Sequence, residues 1–71
     1  SFPFKKILKS NHFRESIEEE IIPQIKANNL YDFKNIIRIW NNVAKSSSSE
    51  LELLFSIITF EIWLKKFKVN V

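Results

Sequence analysis

The sequence predicts an all-α fold, a small bundle of about four helices, and three observations lead there. Apolar residues recur in steps of three and four, most cleanly at Phe33, Ile36, Ile37, Trp40 and Ala44, while Lys34, Asn35, Arg38, Asn41, Asn42 and Lys45 fall outside the stripe. Capping-type side chains stand where such runs begin, at Ser10-Asn11, Asp32 and Ser49. Glycine is absent, and neither Asn-Gly turns nor two-residue alternation occurs, so the abundant Ile and Phe lack the turn chemistry of a sheet.

The elements follow in order. Pro3 fits the first turn of a helix, where its missing N–H costs nothing, and places Phe4, Ile7 and Leu8 on one face of a helix near 3–9. A second helix, 11–27, carries Phe13, Ile17 and Ile21 on one side and Arg14, Glu15, Glu18 and Glu19 on the other. Pro23 is expected to end or kink it at Ile22, leaving Ile25 and Lys26 in a further turn before Asn28-Asn29. The third helix spans 32–45, and the polar run Ser46 to Ser49 is a loop of ordinary inter-helix length. Ser49-Glu50-Leu51-Glu52 matches a capping box, which starts the fourth helix at Glu50 and carries it to Phe67. Its apolar residues cover nearly the whole circumference, so it calls for burial on all sides. The uninterrupted apolar stretch near 53–64 is shorter than the roughly 20 residues of a membrane span, and Glu61 breaks it.

Seventy-one residues bound the chain to one small domain or part of a larger one. Apolar residues are 45% of it, with eleven Ile and seven Phe, which places it outside the disordered class. With no Cys, disulfides, thiolate nucleophiles and Cys-ligated zinc are excluded; with no Gly, glycine-dependent phosphate loops are excluded too. With no Met, the chain is expected to be a processed or excised piece. A chain this short buries only about 60% of its unfolded surface, so tight helix packing, self-association or the rest of a longer polypeptide is expected to support it.

Charge comes in blocks that nearly cancel: +4 over 5–14, −4 over 15–32, +3 over 34–45, −3 over 50–61 and +3 over 65–68. A nucleic-acid binder gathers its cations on one face, and the Glu15, Glu18, Glu19, Glu20 cluster repels phosphate, so no nucleic-acid partner is expected. Lys65, Lys66 and Lys68 instead complement the carbonyl end of the last helix. His12 is the single imidazole and has only Glu15 and Ser16 within helical reach, which makes neither a metal site nor a triad. Glu18-Glu19-Glu20 reads as a wet helix face rather than acid–base machinery. No catalytic, cofactor or metal-ligating residue is assigned. Glu61 is the most informative polar residue, because an ionised carboxylate inside an apolar helix needs a partner. Two partners are open: an i to i+4 pair with Lys65, or a hydrogen-bonded anchor to another segment absent from this chain.

The run Leu54-Phe55-Ser56-Ile57-Ile58-Thr59-Phe60-Glu61-Ile62-Trp63-Leu64-Lys65-Lys66-Phe67 resembles the closing helix of the asparagine synthetase family. Members tend to end in Leu-Trp, two or three aliphatics, then Leu-Glu-x-Trp-Leu with basic residues and an aromatic after it; Phe60-Glu61-Ile62-Trp63-Leu64 matches most closely, with Phe55 where Trp is usual. The order of a Pro-led helix, a charged helix, Leu30-Tyr31-Asp32 opening another, a loop and a final helix is similar as well. Ser46 to Ser49 stands where that family has a Gly-containing loop.

The resemblance implies a non-catalytic C-terminal helical part of a larger α/β synthetase domain, in an ATP-dependent amidotransferase that makes asparagine by default. ATP and Mg are implied for that parent only. Within such a parent the expected role is architectural, with Trp40, Phe55, Ile58, Glu61, Ile62 and Trp63 docking onto the remainder of the polypeptide. Self-association through the apolar faces is the other partner expected. A cytoplasmic location is expected, with no transmembrane, signal or lipidation segment evident. The alternative function is a free-standing helical protein–protein interaction module; a nucleic-acid binder ranks third.

Overall fold

The computed structural model describes residue 6 and residues 10–68, Lys68 by its backbone alone. Among the described residues the chain is all-helical, with three helices and no strand. The helix expected at 3–9 lies outside the described residues apart from Lys6.

Helix α1 covers residues 11–28 in three windings: α-helical Asn11–Ser16, a π turn Ile17–Ile21 and α-helical Ile22–Asn28. Pro23 accounts for the middle one. It has no N–H for the carbonyl four residues back, and its ring crowds that carbonyl. The wider turn relieves both, since the Ile22 N–H reaches five residues back to the Ile17 carbonyl. The helix therefore continues through the place where a stop or kink at Ile22 is expected. Ile17, Ile21 and Ile25 stay in one inward row. At the far end Asn29 takes the left-handed conformation, φ 56° and ψ 31°. In a chain without glycine, Asn is the residue best able to close a helix this way.

Helix α2 runs Phe33–Asn41, with the Asp32 carboxylate accepting from the Asn35 N–H at 3.4 Å. The single helix expected over 32–45 is thus shorter. At Asn42 the backbone leaves the α region (φ −132°, ψ 39°), and Val43–Lys45 forms a 3-10 turn. Side chains that compete with the helical ladder explain the break. Asn42 Nδ2 donates to the Arg38 carbonyl at 2.9 Å, and Ser46 Oγ donates to the Asn42 carbonyl at 2.8 Å. Ala44, placed in the apolar stripe by its spacing, is consequently exposed.

Helix α3 spans Ser48–Lys68 and begins two residues before the expected Glu50. A capping box forms, but in a different register from Ser49–Glu52. Ser47 Oγ accepts from the Glu50 N–H at 3.2 Å, and Glu50 Oε1 accepts from the Ser47 N–H at 2.9 Å. Arg38 Nη2 also meets Glu50 Oε2 at 2.7 Å, which favours Glu50 as the box acid by tying the start of α3 to α2. Together these contacts hold the Glu50 carboxyl below its usual value, the Arg38 hydrogen bond foremost.

The three helices enclose one core. Ile17, Ile21 and Ile25 of α1, Ile36, Ile39 and Trp40 of α2, Val43, and Leu51, Leu54, Ile57 and Ile58 of α3 are all buried. Phe13, Ile22, Tyr31 and Phe33 close its edges. Each large aliphatic so placed contributes on the order of 2 kcal/mol by leaving water. Trp40 also couples α2 to α1. Its Nε1 donates to Glu18 Oε2 at 2.8 Å, and the Arg14 guanidinium lies 4.2 Å over the ring while donating to the Trp40 carbonyl at 3.2 Å. No helix among the described residues is long and apolar enough to cross a membrane.

Candidate functional site

Helix α3 holds two features, one on each side. On the inner side, the row Leu51, Leu54, Ile58 and Glu61 advances in steps of three and four toward α1. All four are buried, and Glu61 has 0% exposure. Its carboxylate meets α1 and the turn after it. Gln24 Nε2 donates to Glu61 Oε1 at 2.9 Å and to the Glu61 carbonyl at 2.8 Å; Asn28 Nδ2 donates to the same Oε1; Tyr31 Oη donates to Oε2 at 2.9 Å.

These three donors are all uncharged. Lys65 instead bonds Glu20 Oε1 at 2.9 Å, between α3 and α1, and holds the Glu20 carboxyl below its usual value. Glu61 is therefore a hydrogen-bonded anchor to another segment, and that segment belongs to this chain. The arrangement makes chemical sense for a buried carboxylate, since hydrogen bonds to a charged group are each worth about 1.5–3 kcal/mol and offset its lost hydration. No buried side-chain nitrogen or oxygen among the described residues lacks a hydrogen-bond partner. The Tyr31 phenol responds to this position: burial first, and then the Glu61 carboxylate beside it, push its pKa up to about 12.

On the outer side a second row with the same spacing, Leu53, Ser56, Phe60, Trp63 and Phe67, lies about 200° round the helix from the first. Its four large apolar members are exposed at 47%, 45%, 51% and 53% respectively. The aromatics touch one another: Phe60 and Trp63 stack with centroids 6.2 Å apart, and Trp63 and Phe67 are 4.3 Å apart. Ser56 and Thr59 are short, so a shallow depression of about 540 Å³ opens beside them, walled by Phe55, Phe60 and Trp63.

The docking set expected from sequence is thus split. Trp40, Ile58 and Glu61 point inward and are used within the bundle, Phe55 is half-buried, and Ile62 and Trp63 face solvent. Among the described residues, burial of α3 is not achieved on all sides. Sequence reasoning missed Gln24, Asn28 and Tyr31 as the partners of Glu61, and it missed the outer row as a row. Gln24 and Asn28, four apart on the stripe that holds Ile21 and Ile25, carry a signal for the first; the 53-56-60-63-67 spacing carries the second. Among the described residues no three His, Asp or Glu side chains gather where a metal ion would sit. His12 is exposed on α1.

Comparison with known proteins finds no family model, no curated protein and no solved structure that matches this chain.

Proposed function

We propose that this chain is a helical protein-docking module: α1 and α2 brace the inner side of α3, and the outer side of α3 receives another protein surface. One observation carries this reading. Phe60, Trp63 and Phe67 form a contiguous aromatic surface in water, on the helix best anchored from behind. Exposed apolar clusters of this kind, presented at helical spacing, are the usual form of helix-to-helix recognition. Aromatic residues give large contact area with little side-chain entropy to lose.

The reading is tested with Trp63→Ser and Phe67→Ser. Both are expected to keep the native circular dichroism and melting midpoint while losing the binding of an apolar dye such as bis-ANS. Loss of the fold in both variants would show that the surface is core and overturn the reading.

A second reading follows from the Phe60-Glu61-Ile62-Trp63-Leu64 run. Here the receiving surface is the catalytic core of an asparagine synthase-like ligase, and the chain is its non-catalytic closing segment in a cytoplasmic enzyme. The outward position of Ile62 and Trp63 agrees with it. An open reading frame around this chain that encodes a Ser-Gly-Gly-x-Asp-Ser pyrophosphate loop is expected on that reading; a frame without one removes it.

A further inference from the structure

The inner row of α3 changes character at Glu61. Up to Ile58 the helix is held by aliphatic burial, through Leu51, Leu54, Ile57 and Ile58. Among the described residues the core takes nothing from α3 after Ile58: Leu64 is half-buried outside that cluster, and Lys65 meets Glu20 in an exposed pair. Pairs of that kind add little to stability. Among the described residues, what holds the end of α3 against α1 is therefore the cluster of Glu61 with Gln24, Asn28 and Tyr31.

A cluster of this composition can open without the core. Glu61 is fully covered, yet Gln24, Asn28 and Tyr31, which cover it, each keep part of their surface in water. When α3 moves off α1 here, water takes over each of these hydrogen bonds, whereas a lost aliphatic contact has no such replacement. Ile62, Trp63 and Phe67 are only moderate helix formers, so this end owes its helical order to being held rather than to propensity. Gln24 couples the holding to the order. Its Nε2 also donates to the Glu61 carbonyl, the group that receives the Lys65 N–H in the helical ladder.

The aromatic row crosses this boundary. Phe60 stands one residue before Glu61 and Trp63 and Phe67 stand beyond it, with Trp63 touching both rings. Resting on the docking reading, we infer that the Glu61 cluster is a latch controlling the docking surface: residues 62–68 release from α1 as one unit, well below global unfolding, and carry Trp63 and Phe67 away from Phe60. A partner that covers the whole row needs the latched state. By linkage, it also favours that state.

Native-state hydrogen exchange of the whole chain at increasing urea tests this. The amides of 63–67 are expected to share one protection factor, about tenfold or more below those of Leu54, Ile57 and Ile58, and nearly independent of urea because the opening exposes little surface. Gln24→Ala is expected to speed their exchange about tenfold, and Glu61→Gln, which keeps the acceptor oxygen, to leave it unchanged. Two results would overturn the inference. One is exchange of 63–67 in step with 54–58, which makes α3 a single unit and is read in the native chain without any variant. The other is protection that grades smoothly toward the helix end and ignores Gln24→Ala, which is simple fraying. The docking reading survives either result as long as bis-ANS binding is lost in Trp63→Ser, since that measurement does not depend on the latch.

Discussion

Gln24 and Glu61, 37 positions apart, are joined twice by one nitrogen, which donates to both the carboxylate and the backbone carbonyl of Glu61. A single side chain of α1 thereby fixes both the position and the rotation of α3. Glu61→Gln is expected to fold with nearly unchanged stability, because its amide oxygen still accepts from Gln24 and Asn28 and its NH2 donates to the Tyr31 oxygen. Glu61→Leu leaves those polar groups without a partner and is expected to cost about 3 kcal/mol. Urea unfolding of the two variants checks this, and equal losses in both would contradict it.

Tyr31 makes the high-pH limb of stability legible, because it is the only tyrosine. Its ordinary value is 10.0, and in the fold it is pushed up to about 12. A raised folded value means the native state holds the phenol proton more tightly than the unfolded chain does. That contribution is fully present below pH 10 and is lost as pH rises toward 12. Ultraviolet titration of the phenolate is expected to show a midpoint well above 10 that falls toward 10 in Glu61→Gln. A midpoint at 10 in the native chain would show that the phenol is not held by Glu61.

The register of the capping box separates two serines two residues apart. Ser47→Ala removes the side chain that accepts from the Glu50 N–H and is expected to cost about 1 kcal/mol. Ser49→Ala, at the position the sequence pattern favours, is expected to change stability by less than about 0.5 kcal/mol. The carboxyls of Glu50 and Glu20 sit below their ordinary value of 4.5, so what they contribute is present above that pH and declines as pH falls through their lowered values. Acid titration of Glu50→Gln is expected to show a shallower loss of stability than the native chain.

The helical class was legible because it depends on periodicity and on absent glycine, both local properties. Boundaries were legible only where one local rule acted alone, as at Asp32. Ser47 and Ser49 each have an acid three residues on and so satisfy the capping pattern, and Arg38, twelve positions from Glu50, helps decide between them. Pro23 announces a disturbance, but whether a helix stops or widens depends on packing. Here Ile17, Ile21 and Ile25 all reach the core, so continuing is favoured. Glu61 was identifiable as a buried carboxylate needing a partner, yet its donors lie in segments 30 to 37 positions away, beyond any helical spacing rule. The all-apolar reading of α3 concealed two separate rows, because a helix apolar on opposite sides has no net direction.

Those two rows imply unequal costs for equal truncations. Ile58→Ala is expected to destabilise the fold by about 2–4 kcal/mol, since Ile58 is 1% exposed and leaves a cavity. Leu53→Ala, 47% exposed on the opposite side, is expected to change it by less than about 0.5 kcal/mol. Thermal unfolding at low concentration, where association is negligible, makes the comparison; similar losses would mean that the outer row also packs within the chain.

The two tryptophans, one on each side, allow the most direct measurement of that two-sided helix. Trp63→Phe leaves Trp40 as the single emitter, and Trp40→Phe leaves Trp63. Acrylamide quenching is expected to be weak for Trp40 at every protein concentration. For Trp63, 51% exposed on the outer row, it is expected to be strong. A Trp63 as shielded as Trp40 in the most dilute solution would contradict an outward docking surface on α3.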